Sequence, residues 1–367
     1  MSDDRPVINV TKTYLPPLEE YVGYLQGIWE RGQLTNNGPL VKELEARLKE
    51  FLGVKHLFFV SNGTIALQIA IKALGLHGEI ITTPFSYVAT TSSIVWEGCQ
   101  PVFVDIDPET LCLNPDLIEA AITPRTTAIL AVHIYGHPCD VERIQAIADR
   151  HRLKVIYDAA HAFGVRYKGP SLLTHGDIAT LSFHATKLFH TVEGGAFATD
   201  DDEVAHRIAY MRNCGHRGAE DFWGLGINGK NTEFHAAMGL CVLPKVPDLI
   251  AKRKVTSEMY DALLPRNGLT RPRRREETLY NYAYYPVLLG SEEDILRVRA
   301  ALSAQYIFPR RYFYPSLNFL PYIKSSHMPV SEEIARRVLC LPLQHDLRQT
   351  NVEQISLIIR KSLGGTQ

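Results

Sequence analysis

The chain has 367 residues, of which 46% are hydrophobic and 22% are charged, a balance typical of globular proteins. Its 39 Lys and Arg residues nearly cancel its 40 Asp and Glu residues, which argues against bulk electrostatic binding to nucleic acid or to a membrane surface. A chain of this length favours two domains that share an interface.

The N-terminus, Met1 to Arg5, is polar and lacks the basic start and the apolar segment of a signal peptide. No run in the sequence approaches the roughly 18 uninterrupted apolar residues of a membrane-spanning helix. The six cysteines are scattered without a Cys-x-x-Cys pair, which favours reduced thiols. We therefore expect a cytoplasmic protein with no membrane and no nucleic-acid partner.

The segment from Leu18 to Leu52 predicts a helix, a loop and a second helix. Beyond it, short apolar runs alternate with amphipathic stretches of helical periodicity. The runs are His56–Val60, Glu79–Thr83, Pro101–Val104, Ala128–Val132, Lys154–Tyr157, Ala179–Phe183 and Ala196–Thr199. Several are continuously apolar, as strands buried on both faces must be. The alternation predicts an α/β domain with a mainly parallel, seven-stranded sheet covered by helices.

The character of the sequence changes after Gly239. Lys245 to Leu264 can form one long helix, and a basic loop, Arg271 to Arg275, follows it. An aromatic strand around Tyr280–Leu289 and two further helices complete a smaller α+β domain. We place the boundary near residue 245, so that residues 1–245 form the large domain with an N-terminal helical segment and residues 246–367 form the small one.

Ligands of parallel α/β sheets collect at the carboxyl ends of the strands. The first polar feature at such an end is Ser61 to Thr64, which follows a strand and precedes a helix. Gly63 lets the backbone approach a ligand, Thr64 offers a hydroxyl, and the start of the helix presents free N–H groups. This combination suits a phosphate, although for this segment taken alone a simple capped turn is the commoner interpretation.

Two ionisable residues follow other strands. Asp158 ends a buried strand, where a carboxylate needs a partner to stay ionised. That partner could be the protonated pyridine nitrogen of a ligand, or a basic side chain in a structural salt bridge. Lys187 comes soon after the strand that ends near Ser182, where burial would make its amine nucleophilic. Taken singly, a surface lysine is the commoner interpretation. The glycines of Glu193-Gly194-Gly195 fit a turn beside this site.

The order of these features, a phosphate loop, an aspartate and then a lysine, is that of fold-type I pyridoxal 5′-phosphate (PLP) enzymes. Several motifs make the resemblance closer: Gly38-Pro39, Ser61 to Thr64, Thr83 to Thr90, His133 to Gly136, Asp158 to Gly164, Ser182 to Lys187 and Glu193 to Gly195. On these motifs the chain resembles the DegT/DnrJ/StrS family of nucleotide-sugar aminotransferases from about residue 8 onwards.

The resemblance implies roles for particular residues. Lys187 would carry PLP as a Schiff base and act as the acid and base, and Asp158 would pair with the pyridine nitrogen. The remaining cofactor contacts would be Gly63, Thr64 and Ser182 at the phosphate, Tyr87 stacked on the ring and His161 near the ring hydroxyl.

Near the end of the large domain the family usually has Asn-Tyr-Arg-Met-Ser-Glu, where this chain has Asn228-Gly229-Lys230-Asn231-Thr232-Glu233. Asn228 still matches the residue that reaches the phosphate in the neighbouring subunit, which implies a homodimer with shared active sites. Gly229 and Lys230 depart from the pattern and put the partner's contacts to the nucleotide in doubt.

The resemblance implies transfer of the amino group of L-glutamate to a nucleotide-linked keto-6-deoxyhexose, in O-antigen or glycan biosynthesis. The local sequence is most similar to the branch that aminates dTDP-4-keto-6-deoxy-D-glucose at C4, with C3 amination of a dTDP-3-keto-6-deoxyhexose as the alternative. A PLP-dependent dehydratase would have histidine in place of Lys187. A PLP-bound sensor would need a DNA-binding module, for which we find no room.

Two histidines and two basic segments remain to be interpreted. His133 and His137 flank a turn, but no third ligand accompanies them at a sensible spacing, so we expect no metal. In the family the stretch equivalent to Pro309 to Pro315 borders the sugar pocket, and its arginines and aromatic residues could grip a diphosphate. We expect the loop Arg271 to Arg275 to be solvated rather than bound to substrate phosphates.

Overall fold

Strands and helices alternate along the first half of the chain in the computed structural model, which describes residues 6–265, 267–324 and 326–364. The strands are β1 (Ile8–Asn9), β2 (His56–Val60), β3 (Glu79–Thr82), β4 (Gln100–Phe103), β5 (Thr126–Val132), β6 (Lys154–Asp158), β7 (Arg166–Tyr167), β8 (Ile178–Ser182), β9 (Gly195–Thr199), β10 (Leu269–Thr270), β11 (Thr278–Leu279), β12 (Tyr285–Leu289), β13 (Ile307–Phe308) and β14 (Val338–Leu341). The α-helices are α1 (Leu18–Arg31), α2 (Pro39–Leu52), α3 (Gly63–Ala73), α4 (Val88–Trp96), α5 (Val141–His151), α6 (Asp202–Met211), α7 (Glu233–Val242), α8 (Val246–Leu263), α9 (Glu292–Ser303), α10 (Pro329–Arg337) and α11 (Gln349–Ser362).

A seven-stranded sheet in the order β2-β9-β8-β6-β5-β3-β4 carries the first half of the chain. All neighbouring strands are parallel except for β9, which runs antiparallel to β2 and to β8. Each apolar run predicted to be a strand corresponds to one strand of this sheet. The prediction of a mainly parallel seven-stranded sheet is therefore confirmed.

Successive residues along a strand face opposite sides of the sheet, so each side has its own hydrophobic core. Ile81 of β3 belongs to the core on the side of α2, α5 and α7. Its neighbour Ile80 belongs to the core on the side of α3, α4 and α6. The central strands must be apolar at every position because helices cover both faces.

A smaller antiparallel sheet, in the order β10-β12-β14, packs with α8, α9 and α11 around a third core. The second half of the chain thus has the expected α+β character. The N-terminal strand β1 joins this part, because Ile8 and Asn9 pair in parallel with Ile307 and Phe308 of β13. The two ends of the described chain therefore lie against the same core.

One continuous helical segment, Glu233–Leu263, is long and apolar enough to cross a membrane by length and composition alone. Of the 18-residue window in which this segment is most apolar, 56% is buried inside the protein, as is typical of a core helix. The residues 1–5, from which we expected no signal peptide, lie outside the described part of the chain.

Candidate active site

The carboxyl ends of β2, β5, β6 and β8 lie at one edge of the large sheet and border a cavity of about 650 Å³. Residues predicted from widely separated motifs meet there, because parallel strands bring their carboxyl ends together. All of the predicted site residues except Asn228 line this cavity: Gly63, Thr64, Tyr87, Asp158, His161, Ser182 and Lys187.

The start of α3 forms one end of the cavity. Asn62 caps this helix, since its Oδ1 accepts a hydrogen bond from the backbone N–H of Ile65 at 2.8 Å. A Cβ atom on Gly63 would lie 2.9 Å from the Cβ of Ser182, and one on Gly195 would lie 2.5 Å from the carbonyl group of Asn62. The two glycines let the loop pack against β8 and β9 with the free N–H groups of α3 directed at the cavity, as an anion requires.

The carboxylate of Asp158 is buried at the end of β6 and held by two hydrogen bonds. The hydroxyl of Thr90 donates to Oδ2 at 2.8 Å, and the backbone N–H of Ala160 donates to Oδ1 at 3.1 Å. Burial raises the pKa of Asp158, while these bonds and the charge of Lys187 partly lower it again. A carboxylate in this position is fixed in direction and favours a cationic partner.

The amine of Lys187 is the second ionisable group of the cavity. Its Nζ donates a hydrogen bond to the phenol oxygen of Tyr284 at 3.4 Å. Burial lowers the pKa of Lys187, and the negative charge of Asp158 opposes that effect. A lysine with a lowered pKa has a larger neutral fraction, which is what a nucleophilic amine needs.

His161 lines the cavity with one ring nitrogen engaged by the backbone. Its Nδ1 accepts a hydrogen bond from the backbone N–H of Tyr135 at 3.1 Å. Burial lowers the pKa of His161 well below its usual range, so the ring is neutral and its proton is on Nε2. Its ring also stacks on Phe313 at a centroid distance of 5.7 Å. His161 can therefore donate from Nε2 to an oxygen of a bound ligand.

The wall contributed by the second half of the chain comes from the segment Pro309 to Pro315. Of this segment, Arg310, Tyr312 and Phe313 line the cavity. Burial raises the pKa of Tyr312, and the guanidinium group of Arg310 lies 5.4 Å from the centre of its ring. The sequence indicated the segment as a whole, and the structure selects these three residues from it.

The basic loop Arg271 to Arg275 lies away from the cavity. Arg273 pairs with Glu109 at 2.8 Å and Arg275 with Asp140 at 2.9 Å, while Arg271 pairs with Asp261. These side chains are engaged with carboxylates of their own chain. His133 and His137 are both buried, and within the described residues no group of three His, Cys, Asp or Glu side chains is arranged to hold a metal ion.

Asn228 is exposed and does not belong to the residues that line the cavity of its own chain. Its Oδ1 accepts a hydrogen bond from Lys230 Nζ at 2.6 Å. The loop that precedes it exposes several large apolar side chains: Phe222, Trp223, Leu225 and Ile227. Such a cluster on the surface is typical of a protein–protein contact.

Two residues that contact the ionisable groups of the site, Thr90 and Tyr284, were not predicted from the sequence. Thr90, which orients Asp158, lies inside one of the motif segments, but its hydroxyl carries no periodic signal. Tyr284 lies in the predicted aromatic strand, just before β12, where tyrosines are common for packing reasons alone. In both cases the partner is remote in the sequence, so only the folded chain identifies the contact.

The chemistry of the cavity fits PLP. The start of α3, with Gly63 and Thr64, suits the phosphate, and the buried carboxylate of Asp158 suits a protonated pyridine nitrogen. The amine of Lys187 suits an aldehyde, and the N–H of His161 suits the ring hydroxyl. All of these groups face the same cavity.

The sequence also matches known proteins over nearly its whole length. The model of the DegT/DnrJ/EryC1/StrS aminotransferase family matches residues 18–360. A dTDP-4-amino-4,6-dideoxy-D-glucose transaminase of Shigella dysenteriae is 44% identical over 366 residues, which are 98% of this chain and 99% of the relative. The Escherichia coli protein of the same name is 42% identical over 362 residues, 96% of this chain and 98% of the relative.

Solved structures have the same fold. The structure of DesI in the presence of its TDP-sugar product matches with a TM-score of 0.91 and 33% identity, covering 99% of this chain and 94% of DesI. The structure of ntda from Bacillus subtilis with bound cofactor PMP matches with a TM-score of 0.86 and 28% identity, covering 94% and 82% of the two chains.

Proposed function

Since the chain belongs to the DegT/DnrJ/EryC1/StrS aminotransferase family, we propose that it transfers the amino group of L-glutamate to C4 of dTDP-4-keto-6-deoxy-D-glucose. Membership confirms the resemblance drawn from the motifs, and with it a PLP-dependent transaminase of nucleotide sugars. The observation that carries the substrate is the pair of dTDP-4-amino-4,6-dideoxy-D-glucose transaminases, 44% and 42% identical over nearly the full length. The structural match to DesI, which was solved in the presence of its TDP-sugar product, also supports this substrate.

When bound, PLP supplies an aldehyde that condenses with amines and a ring that takes up electrons. Asp158 would keep the ring nitrogen protonated, because a carboxylate fixed by Thr90 and Ala160 favours a cation next to it. His161 would donate from Nε2 to the ring oxygen. Gly63, Thr64 and Ser182 would hold the phosphate, and Tyr87 would cover one face of the ring.

Lys187 moves the protons of the reaction. Its amine takes a proton from Cα of L-glutamate in the first half of the cycle, which ends with 2-oxoglutarate. In the second half it delivers a proton to C4 of the sugar. Both tasks need an amine that changes its protonation state readily, and the lowered pKa of Lys187 meets that need.

We assign the recognition of the anionic substrates to Arg310. Its guanidinium group lines the cavity and lies over the ring of Tyr312, and we find no carboxylate of the described residues paired with it. A guanidinium group without an internal partner suits a carboxylate or a diphosphate. In this proposal Tyr312 contacts the sugar from the same wall.

The active unit in this proposal is a homodimer in the cytoplasm, serving amino-sugar synthesis for O-antigen or another glycan. Asn228 reaches the cofactor phosphate of the partner subunit, and the exposed side chains of Phe222, Trp223 and Leu225 become buried in the contact. The position of Asn228 outside its own cavity supports this arrangement, and so does the apolar loop beside it.

The test is a panel of dTDP- and UDP-linked 3-keto and 4-keto sugars, each incubated with L-glutamate and the purified holoenzyme. We expect one product, with NMR placing the new amine at C4 of a dTDP-linked 6-deoxyhexose, and 2-oxoglutarate in equal amount. Amination at C3, or of UDP-sugars alone, would overturn the assignment. Lys187→Ala serves as the inactive control.

A further inference from the structure

Lys187 has a hydrogen-bond partner from the other half of the chain. Its Nζ donates to the phenol oxygen of Tyr284 at 3.4 Å and lies 6.0 Å from the centre of the ring. Both side chains are partly exposed, because their ends face the cavity. This contact joins the large sheet to the segment that leads into β12.

The backbone around Tyr284 is fixed by buried side chains. Asn281 donates from Nδ2 to the carbonyl oxygens of His161 and Phe163, at 2.8 and 3.0 Å, and its Oδ1 accepts from the N–H of Ala283 at 3.1 Å. Arg253, also buried, donates from Nη1 to the carbonyl oxygen of Ala283 at 3.0 Å. The residue before Tyr284 is therefore tied both to the turn after β6 and to α8.

The ring of Tyr284 is held in the same way. It contacts His161 edge to face at 4.7 Å, and Tyr312 edge to face at 5.8 Å. Tyr135 lies at 5.8 Å on a third side. The fixed backbone and the three neighbouring rings hold the phenol oxygen at the cavity wall, 3.4 Å from Lys187 Nζ.

We infer that Tyr284 is a positioning residue for Lys187, whose phenol oxygen holds the amine at the reacting carbon during both proton transfers. The inference rests on the proposed function, in which Lys187 acts on Cα of the donor and on C4 of the sugar. A lysine side chain that is free at its tip has about 2 kcal/mol of rotamer entropy to lose. One fixed acceptor reduces that loss at each transfer.

The direction of the hydrogen bond between Lys187 and Tyr284 predicts a change in the pKa of Lys187 that a packing role of Tyr284 alone would not. A bond donated by Nζ to the phenol oxygen favours the protonated amine, so we expect its removal to lower the pKa of Lys187 further. Burial raises the pKa of Tyr284, so the phenol remains neutral in the working range of the enzyme. The other titratable groups that face Lys187 are Asp158, His161, Tyr312 and Tyr87, and all of them are retained in a Tyr284 variant. The charge state of Tyr284 also raises the pKa of Tyr312, so a variant that keeps a neutral ring at position 284 is the appropriate one.

The test uses Tyr284→Phe, which removes one oxygen and keeps the ring contacts. The amine of Lys187 in the apoenzyme is labelled with trinitrobenzenesulfonate at a series of pH values, and the modified peptide is quantified. We expect the midpoint of labelling to fall by about one pH unit, and kcat of the holoenzyme to fall roughly ten- to a hundredfold with little change in KM. Tyr282→Phe, on a neighbouring ring outside the cavity, should leave both unchanged.

Labelling needs neither sugar nor cofactor, so it tests Tyr284 whatever the substrate panel shows. An unchanged midpoint in Tyr284→Phe would overturn the inference, and so would a midpoint that rises. Near-UV circular dichroism checks the fold. If Tyr284→Phe does not fold, the test uses Asn281→Ala, which frees the backbone before Tyr284 but keeps its phenol. This variant should lower the midpoint of labelling by a smaller amount. An unchanged midpoint in Asn281→Ala would overturn the inference equally.

Discussion

At the level of single residues, two ionisable groups of opposite charge share one cavity, and burial brings both closer to neutrality. It raises the pKa of Asp158 and lowers the pKa of Lys187, and the attraction between the two opposes both shifts. Hydrogen bonds from Thr90 and Ala160 further favour the ionised form of Asp158. The site can therefore bind one cationic group beside the carboxylate of Asp158, and the amine of Lys187 is available in its neutral form.

Replacement of Asp158 by Asn tests the first half of this arrangement. The amide cannot keep a ring nitrogen protonated, so we expect kcat to fall by about a hundredfold or more while the cofactor remains bound. The measurement is steady-state turnover together with the visible absorption of the bound cofactor. Thr90→Val, which removes a single hydrogen bond to Asp158, should show a smaller loss. Wild-type turnover in Asp158→Asn would contradict the assigned role.

Buried histidines determine how stability depends on pH. Burial lowers the pKa of His133 from 6.5 to about 3, and it does the same for His137. Below pH 6.5 the unfolded chain therefore binds protons that the folded chain does not bind until about pH 3. The free energy of unfolding should fall as the pH is lowered through this window, and should be independent of these groups above it.

We expect His133→Gln to reduce the slope of unfolding free energy against pH by up to about 1.4 kcal/mol per pH unit between pH 6 and 4, as urea titrations would measure. The substitution will also lower stability at every pH, because His133 Nδ1 accepts a hydrogen bond from the N–H of Cys139. His77→Gln changes an exposed histidine and should keep the wild-type slope. Equal slopes in all three proteins would refute the explanation.

At the level of elements, the anion site depends on the close approach of β9 to the start of α3. Gly195, the first residue of β9, pairs with Val60 on one side and Ser182 on the other. A Cβ atom there would lie 2.5 Å from the carbonyl group of Asn62 and 2.7 Å from the backbone nitrogen of Gly63. The loop could accept a side chain only by moving away from the sheet.

Gly195→Ala should therefore weaken cofactor binding about tenfold or more and lower the free energy of unfolding by about 1–3 kcal/mol. Equilibrium binding of PLP to the apoenzyme and thermal unfolding measure the two effects. The matched control is Gly23→Ala in the exposed face of α1, where a Cβ atom would meet nothing within 4 Å. That change should stabilise the protein by up to about 1 kcal/mol and leave cofactor binding unaltered. Normal binding in Gly195→Ala would show that the loop tolerates displacement.

At the level of the whole molecule, the cavity needs both halves of the chain, and in our proposal it also needs a second chain. Asp158 and Lys187 come from the large sheet, whereas Tyr284, Arg310 and Tyr312 come from the second half. The domain boundary near residue 245 remains our prediction, and it lies next to the start of α8. Asn228 is exposed outside the cavity of its own chain, and in our proposal it completes the cavity of the partner subunit.

Mixing two inactive variants tests the shared site. We expect Lys187→Ala and Asn228→Ala to be individually impaired, because each homodimer has two defective sites. A mixed dimer has one site with Lys187 from one chain and Asn228 from the other, so random exchange should restore about a quarter of wild-type activity. Lys187→Ala mixed with Asp158→Asn damages both sites of every mixed dimer and should restore none. No recovery in the first mixture would place Asn228 in its own subunit's site or outside any site.

The sequence by itself determined the elements of the large sheet and most of the residues that line the cavity. Each strand appears as a continuous apolar run because both its faces are buried, and Asp158 and Ser182 were recognisable because they end such runs. The order of these residues and Lys187 indicated a fold-type I PLP enzyme, and the motif segments around them indicated the family. This information is local: it lies within a strand and the few residues that follow it.

Only the tertiary structure decided the contacts between remote parts of the chain. Tyr284 meets Lys187 across 97 residues, and Arg310 rather than the arginines of the loop 271–275 lines the cavity. The pairing of β1 with β13 is likewise invisible in either strand alone. Periodicity records which face of an element is buried but not which element covers it, and that choice depends on how the two halves of the chain pack together.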